Sequence, residues 1–344
     1  MKSSRLTGSS MVVALVVFTA ATRAQQTTTQ EPRPTFRSSV DLVSVAAVVR
    51  DHKGRFVRDL KRSDFTILEG GQPRPIVEFH AEQDAPIRVA LLFDVSGSMG
   101  VGSKLDEARQ AARQVLSVLR VNAAPRARDE AAVYSFDTRL QALQGFTADP
   151  GAIEDALSRV EPYGETSLYD AIAQTARGVA LSGSADRFVQ RRAVIVVTDG
   201  VDTSSKMAPA DVASIASRID VPVYVMAVVS PLDDPGRAAT PGMPGADRPS
   251  DLRELAERTG GELFVMSAPA HQSVAARQII DELRHQYMLA FDALPAGAPR
   301  PLEVRMRDRR LTVRARTGYA AGPAGSIVSS ERPDRSQGSS GGMQ

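Results

Sequence analysis

The apolar positions of the chain follow two different rhythms. Between residues 87 and 286, short apolar runs alternate with segments in which apolar residues recur every three or four positions, as on one face of a helix. The run at residues 193–197 is apolar throughout, which is typical of a strand covered on both faces of a parallel sheet. This alternation predicts an α/β fold: a doubly wound, mainly parallel sheet with helices on both faces.

The same pattern predicts where the strands and helices of this region begin and end. Strands are expected at residues 89–93, 131–136, 193–197, 223–229 and 263–266, and helices at residues 103–119, 153–160, 167–181, 209–219, 251–258 and 274–284. Residues 231–249 form a loop rich in Pro, Gly and Asp that is long for a compact domain. We expect this loop to be disordered or to lie near the binding face.

The two flanks of this region show the period of two that is typical of strands. Short strands are predicted before it at residues 40–49, 65–68 and 76–79, and after it at residues 287–291, 302–307 and 311–316. Neither flank has enough strands to cover a core alone. We therefore expect residues 38–83 and 287–319 to pair into one small β-sandwich, with the α/β domain of residues 87–286 inserted between its halves.

The last two predicted strands carry a row of arginines on one face. Alternation places these side chains outward, opposite the apolar ones: Arg305, Arg307, Arg310, Arg314 and Arg316. An anion or polysaccharide contact is one interpretation of this face. A solvated strand face is the favoured one, because charges on one face of a sheet are ordinary surface design.

Both ends of the chain predict segments outside the fold. Lys2 and Arg5, the apolar run at residues 11–21 and the small residue Ala24 form the pattern of a signal peptide, residues 1–24. The apolar run is shorter than the ~20 residues that span a bilayer, so we expect cleavage, export to the periplasm or the extracellular space, and no stable membrane insertion afterwards. Residues 25–37 are predicted to be a linker and residues 320–344 a disordered tail.

Composition narrows the possible functions. The 344 residues include 42 basic and 40 acidic side chains, a balance that favours neither nucleic acid nor an anionic membrane as a partner. The chain has no cysteine, which excludes disulfides, thiolate metal sites and a cysteine nucleophile. The 42% hydrophobic content is sufficient for a buried core.

The candidate chemistry lies where predicted strands end. Asp94, Ser96 and Ser98 follow one strand, and Thr166 lies in a loop that enters a helix. Asp199 lies in the Thr-Asp-Gly segment at residues 198–200, which follows the strand predicted at residues 193–197. The first three alone could equally be a turn with a capped helix start. Since the carboxyl ends of parallel strands share one edge, five oxygen-bearing side chains can converge there. Such ligands suit Mg²⁺, or alternatively Mn²⁺ or Ca²⁺.

At these residues the chain resembles the von Willebrand factor type A domain, over about residues 87–286. The Asp-x-Ser-x-Ser motif at residues 94–98, the Gly-x-Thr motif at 164–166 and the Thr-Asp-Gly motif at 198–200 occur in the order found in that family. The resemblance implies a metal-ion-dependent adhesion site, in which Ser96, Ser98 and Thr166 bring hydroxyls to the ion. Asp94 and Asp199 would supply negative charge, directly or through water.

The flanks resemble a group of exported bacterial proteins that are described as von Willebrand factor type A related. The residues that carry this likeness are the segments 60–65, 69–72 and 317–319. Glu165 departs from the family pattern, which often has a small residue there, and would weaken the pull of the ion on an acidic partner if it pointed at the site. Ser167 and Asp170 fit a capping box for the following helix, so no ligand role is expected for Ser167.

The expected function is therefore an exported, metal-dependent module, not an enzyme, that binds another protein through an acidic side chain of that partner. A metal-dependent hydrolase of phosphate esters is one alternative, but a phosphatase of the haloacid-dehalogenase type would have a second aspartate where this chain has Ser96. The sequence also has neither a phosphate-binding loop nor a Gly-x-Ser-x-Gly elbow. A structural envelope scaffold, in which the ion only rigidifies loops, is the other alternative.

Overall fold

A computed structural model describes residues 42–182, 190–218, 220–228, 248–293 and 300–319. The predicted signal peptide, the linker, the tail and nearly all of the loop at residues 231–249 lie outside these described residues. Within the described part of the chain, no helix is both long enough and apolar enough to cross a lipid bilayer.

The secondary structure follows the predicted order, with three additional strands. The helices are α1 (Lys104–Val118), α2 (Pro150–Ser158), α3 (Leu168–Leu181), α4 (Pro209–Arg218), α5 (Arg248–Thr259) and α6 (Pro269–Arg284). The strands are β1 (Leu42–Arg50), β2 (Phe65–Glu69), β3 (Gln72–Arg74), β4 (Ile76–His80), β5 (Ile87–Asp94), β6 (Glu130–Phe136), β7 (Leu140–Thr147), β8 (Arg191–Thr198), β9 (Val223–Val228), β10 (Leu263–Met266), β11 (Tyr287–Asp292), β12 (Arg300–Met306), β13 (Thr312–Ala315) and β14 (Gly318–Tyr319). The strands β3, β7 and β14 were not predicted.

A six-stranded sheet forms the centre of the α/β domain, in the order β10-β9-β8-β5-β6-β7. All neighbours pair in parallel except β7, which runs antiparallel to β6 at the edge. Successive residues of β5 enter opposite cores: Leu91 packs with α1, α2 and α6, and Leu92 packs with α3, α4 and α5. The predicted doubly wound, mainly parallel sheet is confirmed, and the carboxyl ends of β5 and β8 lie side by side at one edge.

The flanking strands form two four-stranded sheets, in the orders β13-β1-β11-β4 and β14-β12-β2-β3. Each sheet takes strands from both flanks of the chain, since β1 pairs with β11 and β2 pairs with β12. Apolar side chains of both sheets share one core that includes Val45, Ile67, Leu289 and Val304. The small β-sandwich expected beside the α/β fold is confirmed, although β12 and β13 belong to different sheets and do not pair as a hairpin.

The expectation that all five arginines of the last two strands face solvent is wrong for two of them. Arg305, Arg307 and Arg310 are exposed, but Arg316 is only 4% exposed and donates to the carbonyl oxygens of Ser217 and Ser44. Arg314 pairs with the carboxylates of Glu262 and Glu282. The outer face of β13 packs against the α/β domain, so Arg314 in this strand and Arg316 just after it contact residues of that domain.

Candidate metal centre

Asp94 ends β5 and is fully buried. Its Oδ1 accepts a hydrogen bond from the backbone N–H of Ser96 at 2.9 Å, and its Oδ2 accepts one from Thr198 Oγ1 at 2.6 Å. Burial disfavours the ionised carboxylate and raises the pKa of Asp94 to about 6, although the hydrogen bonds from Ser96 and Thr198 oppose the shift. The negative charge of Asp199 makes a smaller contribution to the same rise.

The two serines of the motif turn their side chains toward each other. Ser96 Oγ and Ser98 Oγ lie 3.1 Å apart, across the first turn of a short 3-10 helix at Gly97–Gly100. Ser96 is buried and Ser98 is half-buried. The main helix α1 begins only at Lys104, with Ser103 as its N-cap residue, so the motif is not the cap of that helix. Ser96 is the N-cap residue of the 3-10 helix, but its side chain makes no capping hydrogen bond, and its hydroxyl instead contacts that of Ser98.

Two backbone hydrogen bonds bring the Thr166 loop beside this motif. The N–H of Tyr163 donates to the carbonyl oxygen of Val95 at 2.6 Å, and the N–H of Gly97 donates to that of Gly164 at 3.0 Å. Gly164 has φ +83°, and a Cβ there would lie 3.2 Å from Oδ2 of Asp137, so both the conformation and the space favour glycine. Thr166 follows this turn and is buried.

The segment after Asp199 crosses the start of α3 and caps it. The N–H of Leu168 donates to Oδ1 of Asp202, and the N–H of Tyr169 donates to Oγ of Ser205. The predicted capping box of Ser167 and Asp170 is therefore wrong. Ser167 Oγ lies 2.8 Å from Ser204 Oγ, and the carboxylate of Asp170 accepts hydrogen bonds from the backbone of residues 206 and 207.

The same crossing segment ties Asp199 to the Thr166 loop. Thr203 Oγ1 accepts a hydrogen bond from the N–H of Thr166 at 2.9 Å, and the carbonyl oxygen of Thr166 accepts one from the N–H of Thr203 at 2.9 Å. All three predicted segments thus meet at the carboxyl edge of the sheet. Glu165 would add negative charge to the site only if its side chain pointed at it. This residue is exposed.

The surroundings of Asp199 indicate whether these residues fit a cation. Its side chain is 4% exposed, and its Oδ2 lies 3.1 Å from Nζ of Lys104. Among the described residues its buried Oδ1 has no hydrogen-bond partner. A buried, unsatisfied carboxylate oxygen is costly, and a bound cation would relieve that cost.

The chemistry of the side chains also fits a hard divalent ion. In the described ranges, no three His, Asp or Glu residues cluster as a metal site would need, so carboxylates alone do not form one. The combination of Asp94 and Asp199 with three hydroxyls is an all-oxygen set, which suits Mg²⁺, Mn²⁺ or Ca²⁺. These five residues were predicted from the sequence, but Thr198 and Lys104, which contact the two carboxylates, were not.

Comparison with known families agrees with this geometry. The family model described as "von Willebrand factor type A domain" matches residues 89–213, a range that contains all five candidate ligands. The chain therefore contains a von Willebrand factor type A domain. Domains of this family mediate protein–protein interactions, and the adhesion site that characterises them binds a divalent metal ion.

Several solved structures resemble the chain at low sequence identity. BatB from Bacteroides thetaiotaomicron is 18% identical, with 57% of this chain and 98% of that chain covered and a TM-score of 0.45. A von Willebrand factor type A protein from Catenulispora acidiphila is 15% identical, with 83% and 76% covered and a TM-score of 0.45. Proximal thread matrix protein 1 from the mussel byssus, with a zinc-occupied MIDAS motif, is 17% identical, with 62% and 49% covered and a TM-score of 0.45. A search of curated proteins finds no match.

Proposed function

We propose that this protein is an exported, divalent-metal-dependent binding module that captures an acidic side chain of another protein. The observation that supports the proposal is the buried Oδ1 of Asp199, which has no hydrogen-bond partner among the described residues. Asp199 lies at the sheet edge to which the segments that carry Ser96, Ser98 and Thr166 also belong. Mg²⁺ is the proposed ion, because its preference for oxygen ligands matches this set of side chains.

When bound, the ion would offer an open coordination position to a carboxylate of the partner. The side chains around it set how strongly that position attracts an anion. Three of the five proposed ligands are neutral hydroxyls, and only Asp94 and Asp199 carry negative charge, so the charge of a divalent ion is not overcompensated. Ser96 and Thr198 hold the two oxygens of Asp94 in place by hydrogen bonds, which fixes the geometry before any ligand arrives.

The surface beside the site offers apolar contact to a partner. Tyr163 is 78% exposed and Val101 is 61% exposed, and both lie within three residues of a proposed ligand, Thr166 and Ser98 respectively. A Cβ on Gly100 would meet the ring of Pro162 at 3.2 Å, so the two loops that carry these side chains are in contact. An exposed aromatic residue beside a charged anchor is a common arrangement in protein interfaces.

A binding role is proposed in preference to a catalytic one because of how Asp94 is held. Both of its carboxylate oxygens already accept short hydrogen bonds inside the fold, at 2.9 and 2.6 Å, which suits a fixed structural acceptor better than a nucleophile. The proposal of export rests on the signal-peptide pattern of residues 1–24, which lie outside the described residues.

The test is capture of proteins from a cell-envelope extract by the immobilised protein. We expect Mg²⁺ to support capture, EDTA to release the partner, and restored Mg²⁺ to allow rebinding. Asp94→Ala should abolish capture, and Ser103→Ala, which removes an exposed hydroxyl outside the site, should leave it unchanged. Peptides containing Asp or Glu should compete with the partner, whereas the matching Asn or Gln peptides should not.

Two outcomes would contradict the proposal. Capture that persists in EDTA, or that is equal for Asp94→Ala and the wild type, would show that the site is not the means of binding. A rise in melting temperature with Mg²⁺, without any change in affinity for the captured partner, would instead favour the scaffold alternative.

A further inference from the structure

Lys104 occupies an unfavourable position for a cation. It is the first residue of α1, where the helix dipole and free N–H groups favour negative charge, and the acidic residues Asp106 and Glu107 follow it in the first turn. Its side chain is only 10% exposed, although lysine is rarely buried without a paired anion. One anion that it reaches is Asp199, at 3.1 Å between Nζ and Oδ2.

On the basis of the metal site proposed above, we propose that Lys104 is a positioning residue that sets the charge of the site. It shares Asp199 with the divalent ion, weakens binding of the ion and leaves the loaded site more positive toward an acidic partner. The two oxygens of the Asp199 carboxylate have different surroundings. Oδ2 faces the ammonium group of Lys104, and Oδ1 has no hydrogen-bond partner among the described residues.

The charges of the site explain why Lys104 would weaken binding of the divalent ion. Asp94 and Asp199 contribute two negative charges when both are ionised, and Lys104 contributes one positive charge. Removing the charge of Lys104 therefore makes the site one unit less positive, whether or not the divalent ion is bound. Since the side chains of Lys104 and Asp199 are largely screened from water, the repulsion between the ammonium group and the ion is stronger than it would be in solution.

The alternative is that the Lys104–Asp199 pair only fastens the start of α1 to the end of β8. Both accounts predict that metal-free protein without the ammonium group melts at a lower temperature, because Asp199 then loses its counter-charge. They differ in the affinity for the ion. A fastening role predicts equal or weaker binding after the charge is removed, because Asp199 is less well held. A charge-setting role predicts tighter binding.

The experiment is a calorimetric titration of Mn²⁺ into the full chain, at constant pH and ionic strength, for the wild type and three variants. Lys104→Met removes the charge and nearly keeps the length of the side chain, Lys104→Arg keeps the charge, and Lys53→Met removes an exposed lysine in the sandwich. We expect Lys104→Met to bind Mn²⁺ roughly tenfold more tightly. Lys104→Arg should remain within about twofold of the wild type, and Lys53→Met should match it.

The melting temperature gives a second, independent measurement. Metal-free Lys104→Met should melt below the wild type, and saturating Mn²⁺ should raise its melting temperature by more than it raises that of the wild type. If Lys104→Met does not fold, Lys104→Gln provides the same removal of charge with a hydrogen-bond donor retained.

The outcomes separate this inference from the proposed function. Unchanged or weaker Mn²⁺ binding by folded Lys104→Met, with normal binding by the wild type, would overturn the role of Lys104 and leave the metal site intact. Absence of Mn²⁺ binding by the wild type would overturn both.

Discussion

The hydroxyl of Thr198 donates a 2.6 Å hydrogen bond to Oδ2 of Asp94, and so joins the ends of β8 and β5 across 104 positions of the chain. The same Oγ1 accepts a hydrogen bond from the N–H of Gly200 at 2.9 Å. Thr198 therefore satisfies a buried carboxylate oxygen and also fixes the turn that carries Asp199.

Thr198→Val keeps the shape of this side chain and removes its hydroxyl. We expect the free energy of unfolding to fall by about 1–3 kcal/mol, because Asp94 loses a donor in a buried site. Binding of Mn²⁺ should also weaken, since Asp94 and the Asp199 turn are less well positioned. Urea unfolding and calorimetry would measure these effects, with Thr66→Val on the exposed face of β2 as the control. Equal stability and equal Mn²⁺ affinity in the two variants would argue against the role of Thr198.

The raised pKa of Asp94 predicts a stability difference that depends on pH. Burial raises this pKa from 3.8 to about 6, so protonation stabilises the folded state. That contribution is complete below about pH 4 and is lost as the pH rises through about 6. At about pH 8, metal-free Asp94→Asn should therefore be more stable than metal-free wild type, because the variant has no buried charge to maintain.

The advantage of Asp94→Asn should disappear at about pH 4, where the wild-type carboxyl is protonated in the folded state. Urea unfolding in EDTA at the two pH values would measure it. In saturating Mn²⁺ at about pH 8 the order should reverse, since only the wild type gains stability from the ion. A difference between the two proteins that is the same at both pH values would contradict the assigned environment of Asp94.

Glu282 of α6 is buried between arginines of the sandwich, at 2.6 Å from Arg50 and in contact with Arg314. Arg314→Met should lower the free energy of unfolding by about 3 kcal/mol, because a buried carboxylate loses one of its partners. Arg305→Met breaks an exposed pair with Glu303 and should change it by less than about 1 kcal/mol. Chemical denaturation would compare the two, and equal effects would refute the distinction between buried and exposed arginines.

Arg191 contacts both connections between the sandwich and the α/β domain. One connection joins β4 to β5 and the other joins α6 to β11. This fully buried residue begins β8 and donates hydrogen bonds to the carbonyl oxygens of Glu82 at 3.2 Å and Gln286 at 3.0 Å. Burial lowers its pKa to about 10, so the guanidinium remains charged at neutral pH. Arg191→Met should destabilise the protein by about 2 kcal/mol or more, because both carbonyl groups lose their donor.

Hydrogen exchange of the two connections would locate that effect. Both should exchange faster in Arg191→Met, whereas Arg277→Met, on the exposed side of α6, should leave them unchanged. Faster hydrogen exchange in only one of the two connections would show that Arg191 does not stabilise both of them.

The α/β fold was predictable because each of its buried strands is almost wholly apolar, and each helix keeps one apolar face. The missed strands β3 and β7 lack such a signal, and the missed strand β14 has only two residues. β7 is an edge strand without a fully buried position, and β3 is short and contains Pro73. Their pairing depends on the neighbouring strands β6 and β2, which a local pattern does not reveal.

The candidate ligands were predictable because strand ends of a parallel sheet meet at one edge, but their supporting contacts are long-range. The capping of α3 by Asp202 and Ser205 depends on a segment more than 30 positions away. The burial of Arg314 and Arg316 depends on where the sandwich packs. Lys104 did leave a local signal, a lysine in the first turn of a predicted helix, where a negative charge is expected.

An anomalous difference map from crystals grown in Mn²⁺ tests the metal site most directly. The account predicts one strong peak at direct-coordination distance from the hydroxyls of Ser96, Ser98 and Thr166, and its loss in crystals of Ser96→Ala/Ser98→Ala. A folded wild-type protein without a peak at that position, or with its Mn²⁺ bound elsewhere, would contradict the account.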